Sequence, residues 1–241
     1  MTIPINIPNV DKEEIREVTS VLLEKSLTSS SFDGGKRVQQ FEHLLSKFVK
    51  SKFAIAVNSG TSALQASLYA LDIKSGDEVL VPSFTFVATA NSVKAVGAKP
   101  VFVDIVRENY TMDPDDLSKK VTKRTKAIIP VHLYGHVAYM EEIIEVAKKN
   151  NLKIIEDASQ SLGSKFKQKH SGTFSHLGCF SFYGTKVTTS GEGGAVVTDN
   201  KILCEKLKQI RNHGQSKNNL ITRLGPVSYT HLRAHETRED R

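Results

Sequence analysis

Lys186 is the residue whose surroundings point most directly to chemistry. It ends the segment Gly178–Lys186, which is rich in small, aromatic and hydroxyl-bearing residues, and a glycine cluster follows at 191–194. A surface lysine has no need of such neighbours, whereas a lysine that lies beside a flat cofactor does. Burial lowers the pKa of an amine and so frees it as a nucleophile. We therefore predict a turn over this segment in which Lys186 forms a Schiff base with pyridoxal phosphate (PLP).

The segment Asn58–Ala63 has the composition of an anion-binding helix start. It follows a short apolar strand and opens a helix. Gly60 lets the backbone approach an anion, and Thr61 and Ser62 add hydroxyl donors to the N–H groups and dipole of the helix N-terminus. An ordinary Ser or Thr N-cap has the same composition. The segment therefore predicts a phosphate site only in combination with the other motifs.

A carboxylate ends another apolar strand. Asp157 follows residues 154–156 at the carboxyl edge, where open α/β sheets bind ligands. In that place it can pair with a protonated pyridine nitrogen and keep the ring an effective electron sink. Gln160, three residues further on, is placed to hydrogen-bond the ring hydroxyl. For Asp157 alone, a helix cap after a strand explains the residue equally well.

Aromatic and hydroxyl side chains elsewhere can complete such a site. Phe84 and Phe86 follow the strand that ends at Pro82, and an aromatic ring there can stack on a cofactor. At least one of these two phenylalanines is better explained as an ordinary core residue, and the same explanation remains open for both. Ser181, five residues before Lys186, can donate a hydrogen bond to a phosphate.

Several basic and aromatic residues have an ordinary structural explanation as well as a functional one. His132, Tyr134 and His136 cluster after a strand and can line the cavity, but a single histidine is more often structural. His213 is similar. Arg211 can bind a carboxylate or serve as a cation at a helix end.

The elements that must position these residues alternate along the chain. Apolar strands alternating with amphipathic helices predict an α/β domain, with a mainly parallel sheet covered by helices on both faces. The predicted strands are 53–57, 78–82, 100–103, 127–131, 153–156 and 194–198, and the predicted helices are 11–26, 36–50, 61–71, 85–96, 140–150 and 201–211. Residues 28–35 are rich in turn formers and predict a loop.

Composition excludes several classes of protein. The 241 residues suffice for one large domain, and 39% apolar with 24% charged residues is typical of a globular chain. The net charge of +7 is scattered, which suits anionic substrates better than nucleic acid. Cys179 and Cys204 form no disulfide framework and predict reduced, semi-buried thiols in the cytoplasm. The N-terminus lacks the pattern of a signal peptide, and no apolar run is long enough to predict a membrane span.

Taken together, the motifs resemble a known family. The matching segments are 58–64, 76–89, 156–160, 181–186 and 191–194. They resemble the DegT/DnrJ/EryC1/StrS aminotransferases, and residues 130–136 and 179–186 look most like its GDP-perosamine synthase branch. The resemblance covers about residues 5–225. It implies the large domain of a PLP-dependent transferase of fold type I.

The resemblance also implies roles for individual residues. Lys186 would hold the cofactor covalently and transfer the proton, and Asp157 would hold the pyridine nitrogen. Gln160 would contact the ring hydroxyl, and Phe86, rather than Phe84, would stack on the ring. The phosphate ligands would be Gly60, Thr61, Ser62 and Ser181.

The implied reaction converts a nucleotide-linked 4-keto-6-deoxy sugar to an amino sugar for polysaccharide biosynthesis, with L-glutamate as amino donor, in a cytoplasmic homodimer that needs no metal. Two alternatives remain open. One is a PLP-dependent sugar dehydratase of the same fold, in which some relatives carry histidine in place of the lysine. The other is an inert truncated or regulatory protein of this fold.

Residues 1–225 are expected to form an N-terminal segment and the PLP-binding large domain. Residues 226–241 have no clear apolar face and resemble the translated read-through of a sequencing adapter, so we expect them to be non-native, a natural tail being the alternative. The family carries a further C-terminal small domain, which is expected to be missing. Val227 stands where the family usually has an asparagine that reaches the phosphate of the neighbouring subunit.

Overall fold

A seven-stranded sheet forms the centre of the protein. The computed structural model describes residues 7–25, 27, 29, 31–218, 220–222 and 225. Its strands are β1 (Phe53–Val57), β2 (Glu78–Pro82), β3 (Lys99–Val103), β4 (Thr125–Ile128), β5 (Lys153–Asp157), β6 (Lys165–Phe166), β7 (Lys169–His170), β8 (Leu177–Ser181) and β9 (Gly194–Thr198). The order in the main sheet is β1-β9-β8-β5-β4-β2-β3, and β6 and β7 form a separate hairpin.

The sheet is mixed but mainly parallel. Strands β8, β5, β4, β2 and β3 pair in parallel, whereas β9 runs antiparallel to both of its neighbours, β1 and β8. Parallel strands need crossover connections, which here are the helices, so both faces of the sheet are covered and most strand residues are apolar. The predicted α/β class, with a mainly parallel sheet covered by helices on both faces, is confirmed.

The structure describes seven α-helices, six of which cover the two faces of this sheet. They are α1 (Lys12–Glu24), α2 (Lys36–Val49), α3 (Gly60–Ala70), α4 (Ala88–Ala95), α5 (Pro114–Lys120), α6 (Met140–Lys149) and α7 (Lys201–Arg211). Helices α3, α4 and α7 pack on one face around Ile55, Val81 and Ile155, and α2, α5 and α6 cover the other around Leu80, Ile154 and Phe180. None of the described helices combines the length and apolar character needed to cross a membrane.

The segment at 178–186 differs from its predicted form. We predicted one turn, but residues 177–181 form strand β8, and only the residues after Ser181 turn. Gly178 lies inside the strand, and the position requires glycine because a Cβ there would overlap the carbonyl group of Gly172. This glycine therefore serves close packing rather than a turn, a use that composition does not distinguish.

Two other boundaries moved for physical reasons. Helix α4 begins at Ala88 rather than at residue 85, because the N–H of Ser83 is still bonded to Val103 O (2.8 Å) and the chain leaves the sheet late. Strand β4 ends at Ile128, and Val131 forms only an isolated bridge with Asp157. The short helix α5 was not predicted, although Asp113 at its N-cap and Pro114 at its first position are typical start signals.

Both cysteines are free, as predicted, and both are buried rather than semi-buried, Cys179 completely and Cys204 with 5% of the residue exposed. Cys179 lies on β8 with its Sγ 3.2 Å from Ser67 Oγ, and burial raises the pKa of its thiol far above the ordinary value. Burial likewise raises the pKa of Cys204. Neither thiol is poised to react, since a nucleophilic cysteine needs a stabilised thiolate.

Candidate active site

A cavity of about 430 Å³ opens at the carboxyl edge of the parallel strands. Its lining contains seven of the eight residues predicted from the sequence: Gly60, Thr61, Phe86, Asp157, Gln160, Ser181 and Lys186. These residues come from the ends of β5 and β8, the start of α3 and the loop before α4, which the parallel arrangement brings to one edge. This is the position at which open α/β sheets bind ligands.

A second, more open depression of about 670 Å³ lies between α6 and α7 at the opposite edge of the sheet. Lys153, His176 and Asn200 contribute to its lining, and none of the predicted site residues does. Although it is larger, it lies at the amino ends of β5 and β8, opposite the edge at which open α/β sheets bind ligands. We therefore place the candidate site at the smaller cavity.

The start of α3 provides one end of the cavity. Ser59 is the N-cap, and its Oγ accepts a hydrogen bond from Ser62 N–H (3.1 Å) and donates to Ser62 Oγ (3.0 Å). Ser62, predicted as a phosphate ligand, is therefore engaged by the cap and is not among the lining residues. The N–H groups of Gly60 and Thr61 belong to the first turn, where helical N–H groups have no intrahelical acceptor.

Gly60 also allows two segments to approach each other. A Cβ at this position would lie 2.8 Å from Ser181 Cβ and 3.1 Å from Ser159 Oγ. The absence of a side chain therefore lets the hydroxyl groups of Ser159 and Ser181 gather beside the helix start. This end of the cavity presents N–H and O–H donors, the groups that bind phosphate.

Asp157 provides the acidic group. It is the last residue of β5, and only 6% of it is exposed. Its Oδ2 accepts a hydrogen bond from Thr89 Oγ1 (2.9 Å), and its Oδ1 accepts one from Ser159 N–H (3.2 Å). Each carboxylate oxygen thus has one fixed donor and retains a lone pair for a ligand.

Gln160 is oriented by the backbone of the loop after β4. Tyr134 N–H donates to Gln160 Oε1 (2.9 Å), and Tyr134 holds a left-handed conformation with φ 51°. Because an N–H group needs an oxygen acceptor, the carbonyl of Gln160 faces Tyr134 and its NH₂ remains to donate. Tyr134 thus contributes through its main chain, whereas its side chain is largely exposed.

Lys186 is half-buried in the turn after β8, where its N–H donates to Tyr183 O (2.9 Å). Phe86 also lines the cavity, with 69% of the residue exposed. Phe84 lies outside the lining, and its ring contacts Tyr110 at 5.8 Å between centroids. The structure therefore brings Phe86, the preferred of the two phenylalanines, to the cavity.

Sequence reasoning missed several lining residues. The polar ones are Ser59, Thr85, Ser159, Tyr183, Thr185 and Glu192. All six lie inside or beside the quoted motifs. Their hydroxyl and carboxyl groups were the available signal, but composition does not tell which of them face the cavity.

A buried polar network is centred on Glu156, the residue before Asp157 in β5. Glu156 and His132 are completely buried, with Glu156 Oε2 2.9 Å from His132 Nε2. Glu156 also accepts from Gly172 N–H (2.7 Å) and from Ser175 Oγ (2.8 Å). His132 Nδ1 accepts from Ala138 N–H, so its proton is on Nε2. The structural interpretation of His132 therefore holds.

The other basic residues singled out from the sequence, Arg211, His136 and His213, either stabilise the fold or lie on the surface. Arg211 is buried and forms an ion pair with Glu42, so it is not at the cavity. His136 is exposed, with its Nε2 3.3 Å from Asn109 Nδ2, and His213 is exposed as well. No group of three or more His, Cys, Asp or Glu residues within the described ranges could hold a metal ion.

The residues of this cavity fit PLP. One end offers the N–H and hydroxyl groups that a phosphate requires, made accessible by the missing side chain of Gly60. Asp157 supplies an acceptor for a pyridinium N–H, and Gln160 supplies a donor for the ring oxygen. Lys186 supplies an amine for the aldehyde carbon. Each polar substituent of the cofactor thus has a residue of matching chemistry.

Comparison with known proteins identifies the family of this chain. The sequence profile of the DegT/DnrJ/EryC1/StrS aminotransferase family matches residues 8–228. The chain is 42% identical over 212 residues to the GDP-perosamine synthase of Escherichia coli O157:H7, an alignment covering 88% of this chain and 57% of that protein. The chain spans about half the length of the curated relatives it matches.

Solved structures share the fold. The aminotransferase from Psychrobacter cryohalolentis superposes with a TM-score of 0.83 at 38% identity, covering 87% of this chain and 52% of that one. Spr1654 from Streptococcus pneumoniae in its PLP form gives a TM-score of 0.84 at 30% identity, covering 90% of this chain and 59% of that one.

Proposed function

The chain belongs to the DegT/DnrJ/EryC1/StrS aminotransferase family, and on that premise we propose that it is the PLP-binding large domain of a nucleotide-sugar aminotransferase. The proposed reaction converts a nucleotide-linked 4-keto-6-deoxy sugar to the amino sugar, with L-glutamate as amino donor. The observation that carries the proposal is the convergence of Lys186, Asp157, Gln160 and Gly60 on one cavity.

In this proposal Lys186 has two tasks. Its Nζ would hold the cofactor covalently, and its free amine would move a proton at the substrate carbon that bears the nitrogen. Bound PLP supplies the electron sink that stabilises negative charge on that carbon. The half-buried position of Lys186 in the turn after β8 keeps its amine beside the cavity.

The other residues bind and orient the cofactor. Asp157 accepts the hydrogen bond of the pyridinium N–H and balances its charge. Gln160 donates through its NH₂, so the ring oxygen beside it must be the acceptor. Phe86 stacks on the ring. We assign phosphate binding to Gly60, Thr61 and Ser181. Ser62 instead donates its N–H to the N-cap Ser59 and so stabilises the helix start to which Gly60 and Thr61 belong.

Three observations support the substrate and assembly assignments. The net charge of +7 suits a nucleotide-linked substrate, and a relative at 42% identity is named GDP-perosamine synthase. Exposed apolar residues on α1, including Ile15, Val18 and Leu22, support burial against a second copy of the chain. The two free thiols are typical of the cytoplasm, where we place the protein.

The test begins with the cofactor. Protein purified with PLP should show a visible absorbance band, and borohydride reduction followed by peptide mass spectrometry should find the added mass on Lys186. Lys186→Ala should abolish both signals, whereas Lys165→Ala, on the exposed hairpin, should leave both unchanged. A missing band, or a band that Lys186→Ala does not affect, would refute the assignment.

Product analysis then separates the reactions. With a nucleotide-linked 4-keto-6-deoxy sugar and glutamate, an aminotransferase yields an amino sugar and 2-oxoglutarate. A dehydratase would instead yield a deoxy sugar without transferred nitrogen, and an inert protein would yield neither. Only the first outcome supports the proposal.

A further inference from the structure

Two threonine hydroxyl groups connect the cavity to the side chain of Asp157. Thr85 lies in the cavity lining, in the loop before α4. Its Oγ1 is 3.0 Å from Oγ1 of Thr89, which lies in the first turn of α4. Thr89 Oγ1 is in turn 2.9 Å from Asp157 Oδ2. Neither threonine has a role in the proposed function.

Counting protons fixes the direction of these hydrogen bonds. An ionised carboxylate can only accept, so the single hydroxyl proton of Thr89 points to Asp157. Thr89 Oγ1 can therefore only accept from Thr85, whose own proton must point to Thr89. Thr85 consequently offers the cavity lone pairs and no proton.

The burial of Thr89 shows that its hydroxyl has a use. No part of Thr89 is exposed, and a buried hydroxyl costs free energy unless it is hydrogen-bonded. Valine has nearly the same shape and would avoid that cost. The hydroxyl instead binds one oxygen of Asp157, while Ser159 N–H binds the other (3.2 Å). With a donor on each oxygen, the plane of the carboxylate is fixed.

We propose that Thr89 is a positioning residue that, together with Thr85, holds the Asp157 carboxylate in the orientation needed by the ring nitrogen of bound PLP. This inference rests on the proposed function, because it presumes that Asp157 meets the ring nitrogen. Thr89 does not touch the cofactor and acts only through Asp157. A carboxylate that is free to rotate would hold the pyridinium N–H less well, since a charged hydrogen bond depends on alignment.

The test compares variants that differ by one hydroxyl group. Thr89→Val removes the hydroxyl and keeps the shape, and Thr89→Ser keeps the hydroxyl. Thr198→Val is the matched control, because Thr198 is also buried and its Oγ1 also donates, to His176 O (2.7 Å), away from the cavity. The readouts are the dissociation constant of PLP and the pH midpoint of the visible absorbance of the bound cofactor.

Thr89→Val should weaken PLP binding about tenfold or more, the effect of losing a hydrogen bond to a charged group. The absorbance midpoint should move to higher pH, because a ring that loses its proton no longer repels the proton on the Lys186 nitrogen. Thr89→Ser and Thr198→Val should both behave as the unaltered protein does. Thr85→Val should shift the midpoint in the same direction by a smaller amount, and it carries the test if Thr89→Val does not fold.

Two results would overturn the inference. One is an unchanged dissociation constant and midpoint in Thr89→Val, or in Thr85→Val where that variant carries the test. The other is a Thr89→Ser variant as impaired as Thr89→Val, which would show that shape and not the hydroxyl matters. Failure of the unaltered protein to bind PLP would overturn the proposed function itself, and with it this inference.

Discussion

Replacing Gly194 with alanine should disturb the phosphate end of the cavity through the backbone alone. Gly194 begins β9 and pairs with Val57 on one side and Ser181 on the other. A Cβ on Gly194 would lie 2.8 Å from the backbone nitrogen of Gly60 and closer still to the carbonyl group of Ser59. Ordinary contact between such atoms needs roughly 3.5 Å. No side-chain rotation relieves the overlap, because both groups are main chain.

The magnitude follows from what must move. Overpacking a buried site costs typically about 1–3 kcal/mol, and the upper end applies where a backbone must shift. Ser59 O accepts the hydrogen bond of Ala63 N–H (3.0 Å), which starts α3, and displacing it costs about 1 kcal/mol more. We expect Gly194→Ala to lower the free energy of unfolding by about 3 kcal/mol or more. Because Gly60 lies at the displaced helix start, PLP should also bind about tenfold more weakly.

Equilibrium unfolding in urea and titration with PLP measure the two effects. Gly184→Ala is the matched control, since a Cβ there meets no atom within 4 Å, and its stability should change by less than about 0.5 kcal/mol. The reasoning is wrong if Gly194→Ala unfolds within that same margin of the unaltered protein. It is also wrong if Gly184→Ala is equally destabilised.

Two further predictions concern stability. Glu156→Ala removes the acceptor of three donors, His132 Nε2, Gly172 N–H and Ser175 Oγ, so the free energy of unfolding should fall by about 3 kcal/mol. Glu141→Ala, at an exposed ion pair, should cost less than about 1 kcal/mol, and equal losses in urea unfolding would contradict this. Burial lowers the pKa of His170 and of His176, so the unfolded chain binds more protons than the folded one below about pH 6.5. The free energy of unfolding should therefore decline as pH falls through about 6.5. Unfolding measured across pH should show a smaller decline in the His170→Asn and His176→Asn variants.

The sequence predicted much of the fold because its signals are local. Each strand and helix of the βα alternation buries its own apolar residues, so hydrophobic periodicity found most of these elements and the parallel arrangement followed. The same signals misplaced β8, where Gly178 and Ser181 suggested a turn. Position 178 requires glycine because the carbonyl of Gly172 leaves no room for a Cβ, and only the folded chain brings these two residues together.

The types of residue at the site were likewise set by the sequence. Lys186, Asp157, Gln160 and Gly60 stand at strand ends and a helix start, and the ends of parallel strands must share one edge of the sheet. A motif therefore determined which chemical groups are present at that edge. The functional group that each side chain carries is a property of the residue alone, whereas its reactivity depends on its neighbours.

Only the tertiary structure decided how those groups are held. In the folded chain, Ser62 N–H donates to the side chain of the N-cap Ser59. The main-chain N–H of Tyr134 orients Gln160, and the hydroxyl of Thr89 donates to Asp157. The last two contacts join residues that are 26 and 68 positions apart. The environment of Lys186, from which the site was first inferred, depends in the same way on segments brought from α3, α4 and β5. Contacts of this kind depend on how the elements pack, so no local pattern in the chain specifies them.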